Sequence, residues 1–420
     1  MSNNTRLLEI SNEVRDRLHL LRQVVAHRRG HLDSAARSSF ALSIAVALLA
    51  NHAEGRTFVV SNTNDTTNVT SLRGAVIQAN RLGGVNTIVL TSTNYQLTTL
   101  GIGEELALTG GLDIKGSLSI VGKPATRVTV SASGLGDRIF HVLPRARLTL
   151  RNLILTGGAS DDDGGCIYNS GTLLMNECII MGSSANGGGS GPRCNGGGIY
   201  NANLAIIDNC VIYGNSAGSS FLVADEGSVV GSNGGNGGGV CNAGLMTLNN
   251  CTISGNLGGP GGQGMSPAGL QPIGVPQGPG GAGGNGGGIY NSGKLGLRCC
   301  TISGNSSGLG GDGGQGGSGG VGGSGGGIYN SGTIRLTTCT VSGNSSGNGG
   351  NGVADSAPGL AIVVTGGNGG SGGGVLGADG SSTVLRSTVV ILNQAGVGGS
   401  GDVRGSNGSG PDLFGKVTSQ

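Results

Sequence analysis

The sequence predicts an all-β fold, a right-handed parallel β-helix whose coils stack along one axis. A unit that reads GGGIYNSG, a short apolar strand and CTISGN recurs between residues 164 and 393. The separation from the opening Asn to the closing Cys is constant in five copies: 169 to 178, 201 to 210, 242 to 251, 291 to 300 and 330 to 339. Only one Gly-rich insertion per repeat varies in length, and such insertions map to loops on one side of a solenoid.

The composition excludes several other classes of protein. Gly accounts for 93 of the 420 residues, but there is no strict Gly-X-Y period, so a collagen triple helix is excluded. The net charge of +2 gives no basis for binding nucleic acid or an anionic membrane. The nine Cys do not form the pattern of a small disulfide-stapled domain, and no Cys/His cluster has zinc spacing. We therefore expect no metal, no cofactor and no nucleic-acid partner.

Residues 1–56 are predicted to form a leader. Apolar residues recur every three or four positions from Leu7 to Val25, which indicates an amphipathic helix. The apolar run from Phe40 to Ala50 follows basic residues, and it is too short to span a bilayer but suits a signal peptide. We therefore expect export, with no transmembrane span after the leader is removed. A partner-binding helix, or a true translation start near Ser38, is an alternative.

Residues 57–158 are predicted to form an N-terminal cap and the first coils. Ser71 suits the N-cap of a short helix that ends at Asn80, because the apolar residues from Leu72 to Ala79 share one face. Such a helix covers the apolar side chains and the unpaired edge that the first coil of a solenoid exposes. Runs rich in β-branched residues predict strands over Asn86–Leu90, Leu112–Val121, Arg127–Ser131, Arg138–Val142 and Leu148–Thr156.

Residues 159–394 are predicted to form the Gly-rich repeats, and residues 395–420 a polar tail. Parallel strands stack about 4.8 Å apart, so equivalent residues of successive coils form ladders. We expect the Asn side chains to hydrogen-bond from coil to coil and their backbone to adopt left-handed geometry. The predicted structural ladders are Tyr168, Tyr200, Tyr290 and Tyr329; Asn169, Asn201, Asn242, Asn291 and Asn330; and Cys178, Cys210, Cys251, Cys300 and Cys339.

Each of these features has a structural and a functional interpretation. The Tyr ladder is favoured as packing, with a carbohydrate-stacking strip as the alternative. The Cys ladder is favoured as buried, reduced thiols, because parallel Cβ vectors make poor disulfide geometry. Cys299 should face away from Cys300, since strand side chains alternate. The Gly tracts are expected to be flexible loops.

The candidate ligand-binding residues are Asp161, Asp162 and Asp163, the one cluster of carboxylates in the chain. Carboxylates can hold Ca²⁺ or protonate a glycosidic oxygen, but adjacent acids rarely converge on one ligand, so a solvated acidic loop is favoured and a binding site is the alternative. The five His are scattered and supply no evident base, and no nucleophile elbow or zinc-protease motif occurs. We therefore predict no catalytic residue.

Several segments together resemble a known group of bacterial surface proteins. Asn62 to Asp65, Ser71-Leu72-Arg73 and Asn86 to Val89 resemble the CSLREA-type N-terminal module, with Thr70 in place of its Cys and Gly74 in place of its Glu. The GGGIYN and ISGN repeats are similar to those of polymorphic outer membrane proteins, with Ile or Val in place of Phe. The resemblance implies a pectin-lyase-like β-helix, export and a place at the cell surface or outer membrane.

The function predicted from these features is that of a secreted or surface-displayed, non-catalytic adhesin or structural protein. Its partners would be host or environmental surface glycans or proteins. The tail from Pro411 to Ser419 resembles a stretch that continues into further coils and an anchor in relatives, so a truncated gene is one explanation of its end. Two alternatives stay open: a polysaccharide lyase or glycoside hydrolase on the same scaffold, and a Gly-rich surface protein whose Gly tracts bind an unknown ligand.

Overall fold

The chain folds as a right-handed parallel β-helix, which confirms the predicted fold class. The computed structural model describes residues 55–124, 126–186, 195–218, 223–225, 228–264, 278–354 and 362–419. Each complete coil contributes one strand to each of three sheets, and within each of the three every neighbouring pair is parallel and in register, as Ile167 with Ile199 and Ile289 with Ile328. The leader predicted over residues 1–56 lies outside the described residues, apart from Gly55 and Arg56.

The strands of the described residues follow the same order in every repeat. The second sheet opens a repeat with Leu112–Ile114, Phe140–Val142, Ile167–Asn169, Ile199–Asn201, Val240–Asn242, Ile289–Asn291, Ile328–Asn330, Val375–Gly377 and Leu413–Gly415. The first sheet follows with Thr57–Val60, Val85–Leu90, Ser117–Gly122, Arg147–Arg151, Thr172–Asn176, Leu204–Asp208, Leu245–Asn249, Lys294–Arg298, Thr333–Thr337, Ser382–Arg386 and Val417–Ser419.

The third sheet closes the repeat with Asn94–Gln96, Val128–Ser131, Leu153–Thr156, Ile179–Met181, Val211–Tyr213, Thr252–Ser254, Thr301–Ser303, Thr340–Ser342 and Val389–Ile391. Two short pairs lie outside these sheets: Ala159–Ser160 with Ser184–Ala185, in parallel, and Val223–Asp225 with Ser228–Val230, in antiparallel. Part of the region predicted as a polar tail therefore continues the sheets, because its last two strands pair with Val375–Gly377 and Ser382–Arg386.

The core lies inside the coils because side chains alternate along each strand. In Thr172–Asn176 the side chains of Leu173 and Met175 point inward and are buried, while those of Thr172 and Leu174 are only partly covered. The predicted strands Leu112–Val121 and Leu148–Thr156 are each divided in two by a corner. Asn152, with φ 57°, occupies the second corner, where a left-handed residue turns the chain from one sheet to the next.

The first coil is capped by a helix over Leu72–Leu82. Ser71 is its N-cap, as predicted, and its hydroxyl accepts the N–H of Gly74 at 3.3 Å. The helix continues two residues beyond the predicted stop at Asn80, because Gly83 (φ 64°) ends it instead. Arg73 is fully buried, and its guanidinium forms a bidentate ion pair with Asp65 (Nε to Oδ1 2.7 Å, Nη2 to Oδ2 3.0 Å).

The Gly-rich insertions are ordered in the described part of the chain, so the prediction of flexible loops is wrong there. An outgoing and a returning segment lie side by side in each repeat, as 306–315 and 317–324 do. The hydrogen-bond pattern repeats every three residues, the period of a polyproline II-type helix. In each triplet, the N–H of one Gly donates to a carbonyl of the next coil, as Gly310 does to Asn348. The N–H of a second Gly donates to a carbonyl of the other segment, as Gly320 does to Gly311.

We call this two-layered array the glycine slab, and it comprises residues 257–264, 278–285, 306–324, 345–353, 365–371 and 396–409. The outgoing segments form one layer and the returning segments the other, and a continuous zigzag of backbone hydrogen bonds joins the two layers. The N–H of Gly281 donates to the carbonyl of Gly262, that of Gly311 to Gly281 and that of Gly320 to Gly311, each at 2.8 Å. A Cβ on Gly311 would lie 1.9 Å from the carbonyl oxygen of Gly262. Gly is needed at these positions because the backbones approach too closely for any side chain.

Candidate functional site

The Asn residues of the opening motif form one buried hydrogen-bonded line. The side-chain Nδ2 of Asn169 donates to Oδ1 of Asn201 (2.6 Å), and the same bond links Asn201 to Asn242, Asn242 to Asn291 and Asn291 to Asn330 at 2.7–2.8 Å. A second line joins the Asn residues of the closing motif: Asn215, Asn256, Asn305, Asn344 and Asn393. The left-handed backbone expected at the Asn residues is wrong for both lines, because none of them has a positive φ; in the closing motif it is found at the preceding residue, as at Gly255 (φ 61°). Both lines are part of the scaffold and are closed to ligands.

The Tyr side chains form two stacked pairs. The rings of Tyr168 and Tyr200 are 5.2 Å apart and nearly parallel (7°), and those of Tyr290 and Tyr329 are 5.3 Å apart (4°). Cys241 occupies the register position between the pairs. Since a sugar stacks on the face of a ring, a stacked pair has fewer free faces to offer.

The Cys side chains of the closing motif point into the core. Cys178, Cys210, Cys251, Cys300 and Cys339 are buried, and no disulfide joins the cysteines that the structure describes. Neighbouring thiols approach each other, and the N–H of Cys178 donates to Sγ of Cys210 at 3.3 Å. Cys299 is exposed, but at a left-handed corner (φ 53°) rather than on a strand.

The three candidate acids Asp161, Asp162 and Asp163 separate into two places. The Oδ1 of Asp163 accepts the backbone N–H of Asn195 (2.7 Å) and its side-chain amide (3.0 Å). This contact begins a third polar line, because Asn195 in turn accepts the N–H of Asn236. Burial raises the pKa of Asp163, and the charge of Asp162 adds to the effect, against the hydrogen bonds from Asn195. Asp161 and Asp162 instead line a cavity on the outer surface.

This cavity, which we call the terminal cleft, lies at the outward face of the first strands of the second sheet. The inward residues Phe140 and Val142 are buried, so the side chain of His141 between them points outward. The strand register places Asp113, His141 and Tyr168 in one column on that face. The Oδ1 of Asp113 lies 3.3 Å from Nδ1 of His141, and the rings of His141 and Tyr168 meet edge to face at 5.2 Å.

Arg138 joins the column to the acidic loop. Its guanidinium lies 5.4 Å from the ring centre of Tyr168 and 3.8 Å (Nη2) from Oδ2 of Asp162. The Nη2 atom also donates to the hydroxyl of Ser160 at 2.8 Å. The Nε atom is buried and has no hydrogen-bond partner. Because an unpaired buried donor costs free energy, the guanidinium is less fully hydrogen-bonded than its burial requires.

The terminal cleft has a volume of about 340 Å³ and an excess of negative charge. Six carboxylates line it against the one guanidinium of Arg138, namely those of Glu104, Glu105, Asp113, Asp137, Asp161 and Asp162. Burial raises the pKa of Tyr168, and the charges of Asp163 and Asp162 raise it further, so its phenol stays protonated at neutral pH. Among the described residues no group of three His, Cys, Asp or Glu side chains is placed to hold a metal ion.

Sequence reasoning missed most of the terminal cleft. Asp113 comes from one coil and Asp137, Arg138 and His141 from the next, and the contact of His141 with Asp113 was not expected from His residues that are scattered along the sequence. A signal was present, because aligning Phe140-His141-Val142 with Ile167-Tyr168-Asn169 would have placed His141 next to Tyr168. These two strands lack an obvious common motif, so the alignment depends on register, which tertiary pairing decides.

The comparisons with known proteins leave the function of the chain open. No family model and no curated protein matches the sequence. Among solved structures, the chain is similar to the A-module of the mannuronan C-5 epimerase AlgE6 of Azotobacter vinelandii at 12% sequence identity. The match covers 86% of this chain and 97% of that one, with a TM-score of 0.30. In the described part of this chain, no helix has both the length and the apolar character needed to cross a membrane.

Proposed function

We propose that the chain is an exported protein of the cell surface that binds glycan chains in the terminal cleft. The observation that carries the proposal is a cavity lined by carboxylates and by Arg138, whose guanidinium is not fully hydrogen-bonded. Guanidinium donors and carboxylate acceptors are groups that hold sugar hydroxyls, whereas the buried Asn lines are closed to such a role. This keeps the glycan-binding part of the predicted adhesin function.

The charge of the terminal cleft narrows the class of glycan. Six carboxylates face one guanidinium, so a polyanionic chain would meet like charges as it approached. A neutral glycan avoids that repulsion, and its hydroxyls can both donate to carboxylates and accept from Arg138. We therefore expect neutral polysaccharides to bind more tightly than acidic ones, and the difference to shrink as salt screens the charges.

Export and surface display rest on the sequence resemblance. The segments around Asp65 and Ser71-Leu72-Arg73 resemble the CSLREA-type module of bacterial surface β-helix proteins. Their roles here suit a module that closes the first coil, since Ser71 caps the helix and Arg73 pairs with Asp65. Fractionation of cells, with sequencing of the mature N-terminus, tests this part: a start near Glu54 supports export, and an intact Met1 in the cytosol contradicts it.

A binding assay with the full chain tests the glycan proposal. Immobilised neutral and acidic polysaccharides are compared for the unmodified protein, for Arg138→Met and for Arg335→Met. Arg335 is exposed on the first sheet, away from the terminal cleft, and serves as the matched control. Loss of hydrogen bonds from a charged donor, at about 1.5–3 kcal/mol, predicts binding weaker by about tenfold or more for Arg138→Met only. Equal binding by both variants would contradict the proposal.

A further inference from the structure

His141 is held in an orientation suited to proton transfer. Asp113 is 5% exposed at its side chain, its Oδ2 accepts the N–H of Ala107 (3.1 Å), and its Oδ1 faces Nδ1 of His141. A carboxylate at Nδ1 fixes the proton on that nitrogen and leaves Nε2 as the atom that exchanges a proton with a ligand. The prediction of a non-catalytic scaffold was based on the absence of such a convergent set, and that reason no longer holds.

The carboxylate of Asp162, which also approaches Arg138, is far more exposed than that of Asp113. Asp162 is 68% exposed at its side chain, and its Oδ1 accepts the N–H of Asp163 (2.8 Å). Its Oδ2 lies 3.8 Å from Arg138 Nη2, too far for a hydrogen bond. Asp162 therefore combines access to water with a side chain held loosely beside the guanidinium. A general base must be within reach of the water that it activates, and the exposed carboxylate of Asp162 meets this condition.

Asp137 supplies negative charge in a fixed position. Its Oδ1 accepts the N–H of Arg138 (2.7 Å) and its Oδ2 accepts the N–H of Gly111 (2.8 Å), so the carboxylate is held in one orientation. A glycosidic bond breaks through a transition state with positive charge on the sugar ring. Preorganised negative charge in a cleft stabilises such a state. The charge that disfavours polyanions therefore favours this reaction on a neutral glycan.

We propose that the terminal cleft hydrolyses glycosidic bonds of a neutral polysaccharide, which rests on the proposed binding of glycans there. Protonated His141 donates the Nε2 proton to the glycosidic oxygen while the bond from the anomeric carbon to that oxygen breaks, and the bond's electron pair remains on the oxygen. Water forms the new bond to the anomeric carbon and gives one proton to Asp162. That proton returns to His141 through solvent, so the net reaction consumes one water molecule. Arg138, which lines the cleft, positions the sugar with its guanidinium.

The full chain, incubated with soluble neutral β-glucan and mannan in ¹⁸O-labelled water, is assayed for new reducing ends and for label in them. His141→Gln and Asp162→Asn are each expected to lose about 100-fold or more of the rate, the usual contribution of one acid or base, while binding is retained. Asp402→Asn, at an exposed position outside the residues that line the terminal cleft, is the control and should keep the full rate.

The outcomes separate the two proposals. Binding of these glycans without any release of reducing ends would overturn the hydrolysis and leave the proposed binding function intact. Failure of both binding and release would overturn both. Release of ends that carry an unsaturated sugar without ¹⁸O would show elimination rather than hydrolysis, and so would also refute the step. Asp113→Asn provides a further readout: a positioning role predicts that the pH profile of the rate shifts, which loss of packing alone would not produce.

Discussion

The exchange of Gly311 for Ala tests whether the glycine slab is a packed structure. The added Cβ would lie 1.9 Å from the carbonyl oxygen of Gly262, where contacts under 3.0 Å are essentially never observed. Gly262 and Gly311 are equivalent positions of successive coils, so these two coils must separate by more than an ångström at this position. Two hydrogen bonds are lost directly, those of Gly311 with Gly281 and with Gly320, both 2.8 Å.

The expected loss of stability follows from these contacts. Overpacking costs about 1–3 kcal/mol and each lost hydrogen bond about 1 kcal/mol, which gives about 3–5 kcal/mol for Gly311→Ala. Because each repeat of a solenoid contacts mainly its neighbours, the loss should be local to the slab. Amide hydrogen exchange followed by mass spectrometry should show that residues 308–323 open about 100-fold more often or more, since every 1.4 kcal/mol changes the opening equilibrium tenfold.

Gly296→Ala is the matched control for this experiment. Gly296 lies in the strand Lys294–Arg298, where a Cβ would meet nothing within 4 Å and φ is not positive. Its replacement should leave exchange unchanged or slow it slightly, since Ala has less freedom to lose in the unfolded chain. Unchanged protection of the slab in Gly311→Ala would refute the reasoning, because it would mean that the Gly tracts are flexible loops after all.

Three further predictions concern polar groups of the scaffold. Asn291→Ala leaves the buried partners of its amide unpaired, so the free energy of unfolding, measured by denaturant titration, should fall by about 2–4 kcal/mol. Ser292→Ala, at an exposed neighbouring position, is the control and should change this free energy little. The side chain of Asp65 is buried, which by itself raises its pKa, but hydrogen bonds from Arg73 and two backbone N–H groups bring the pKa below 3.8. The ionised carboxylate of Asp65 therefore stabilises the fold fully above pH 3.8, and this contribution is lost as the pH falls through the lowered pKa. Asp65→Asn should be about 3–5 kcal/mol less stable at pH 7 and show a flatter acid-unfolding profile; an unchanged profile would contradict the assignment. The pKa of Asp163 is raised, so this group favours folding most below pH 3.8 and progressively less as the pH rises. Asp163→Asn keeps the acceptor of the polar line without the charge, and thermal unfolding at pH 7 should show a higher midpoint than that of the unmodified protein.

The sequence contained enough information to predict the ladders as a pattern but not their chemistry in full. The constant separation from the opening Asn to the closing Cys keeps equivalent residues in register, and this placed Asn169 next to Asn201 and Tyr168 next to Tyr200. The role of Asp163 was not predictable in this way. It begins a line that continues in the Gly-rich region, at Asn195, where insertions of different length hide the register.

The glycine slab shows the limit of composition as a guide. Gly-rich segments of this kind are usually flexible linkers, because Gly loses more entropy on folding than any other residue. Here the same residue allows backbones to approach until nearly every N–H in the zigzag has a carbonyl partner, as at Gly281 and Gly311. The period of three in the tracts was a readable signal of this arrangement, but only the stacking of coils supplies the neighbours that make it stable.

By itself, the sequence determined the fold, the position of the cap and the identity of the residues that repeat along the axis, because each depends on local patterning and on a constant repeat length. Tertiary structure alone decided the terminal cleft and the slab. Asp113 and Arg138 lie far from Asp162 along the chain, and they meet because three successive coils stack in one register. Long-range placement of this kind follows from strand pairing, which no single segment encodes.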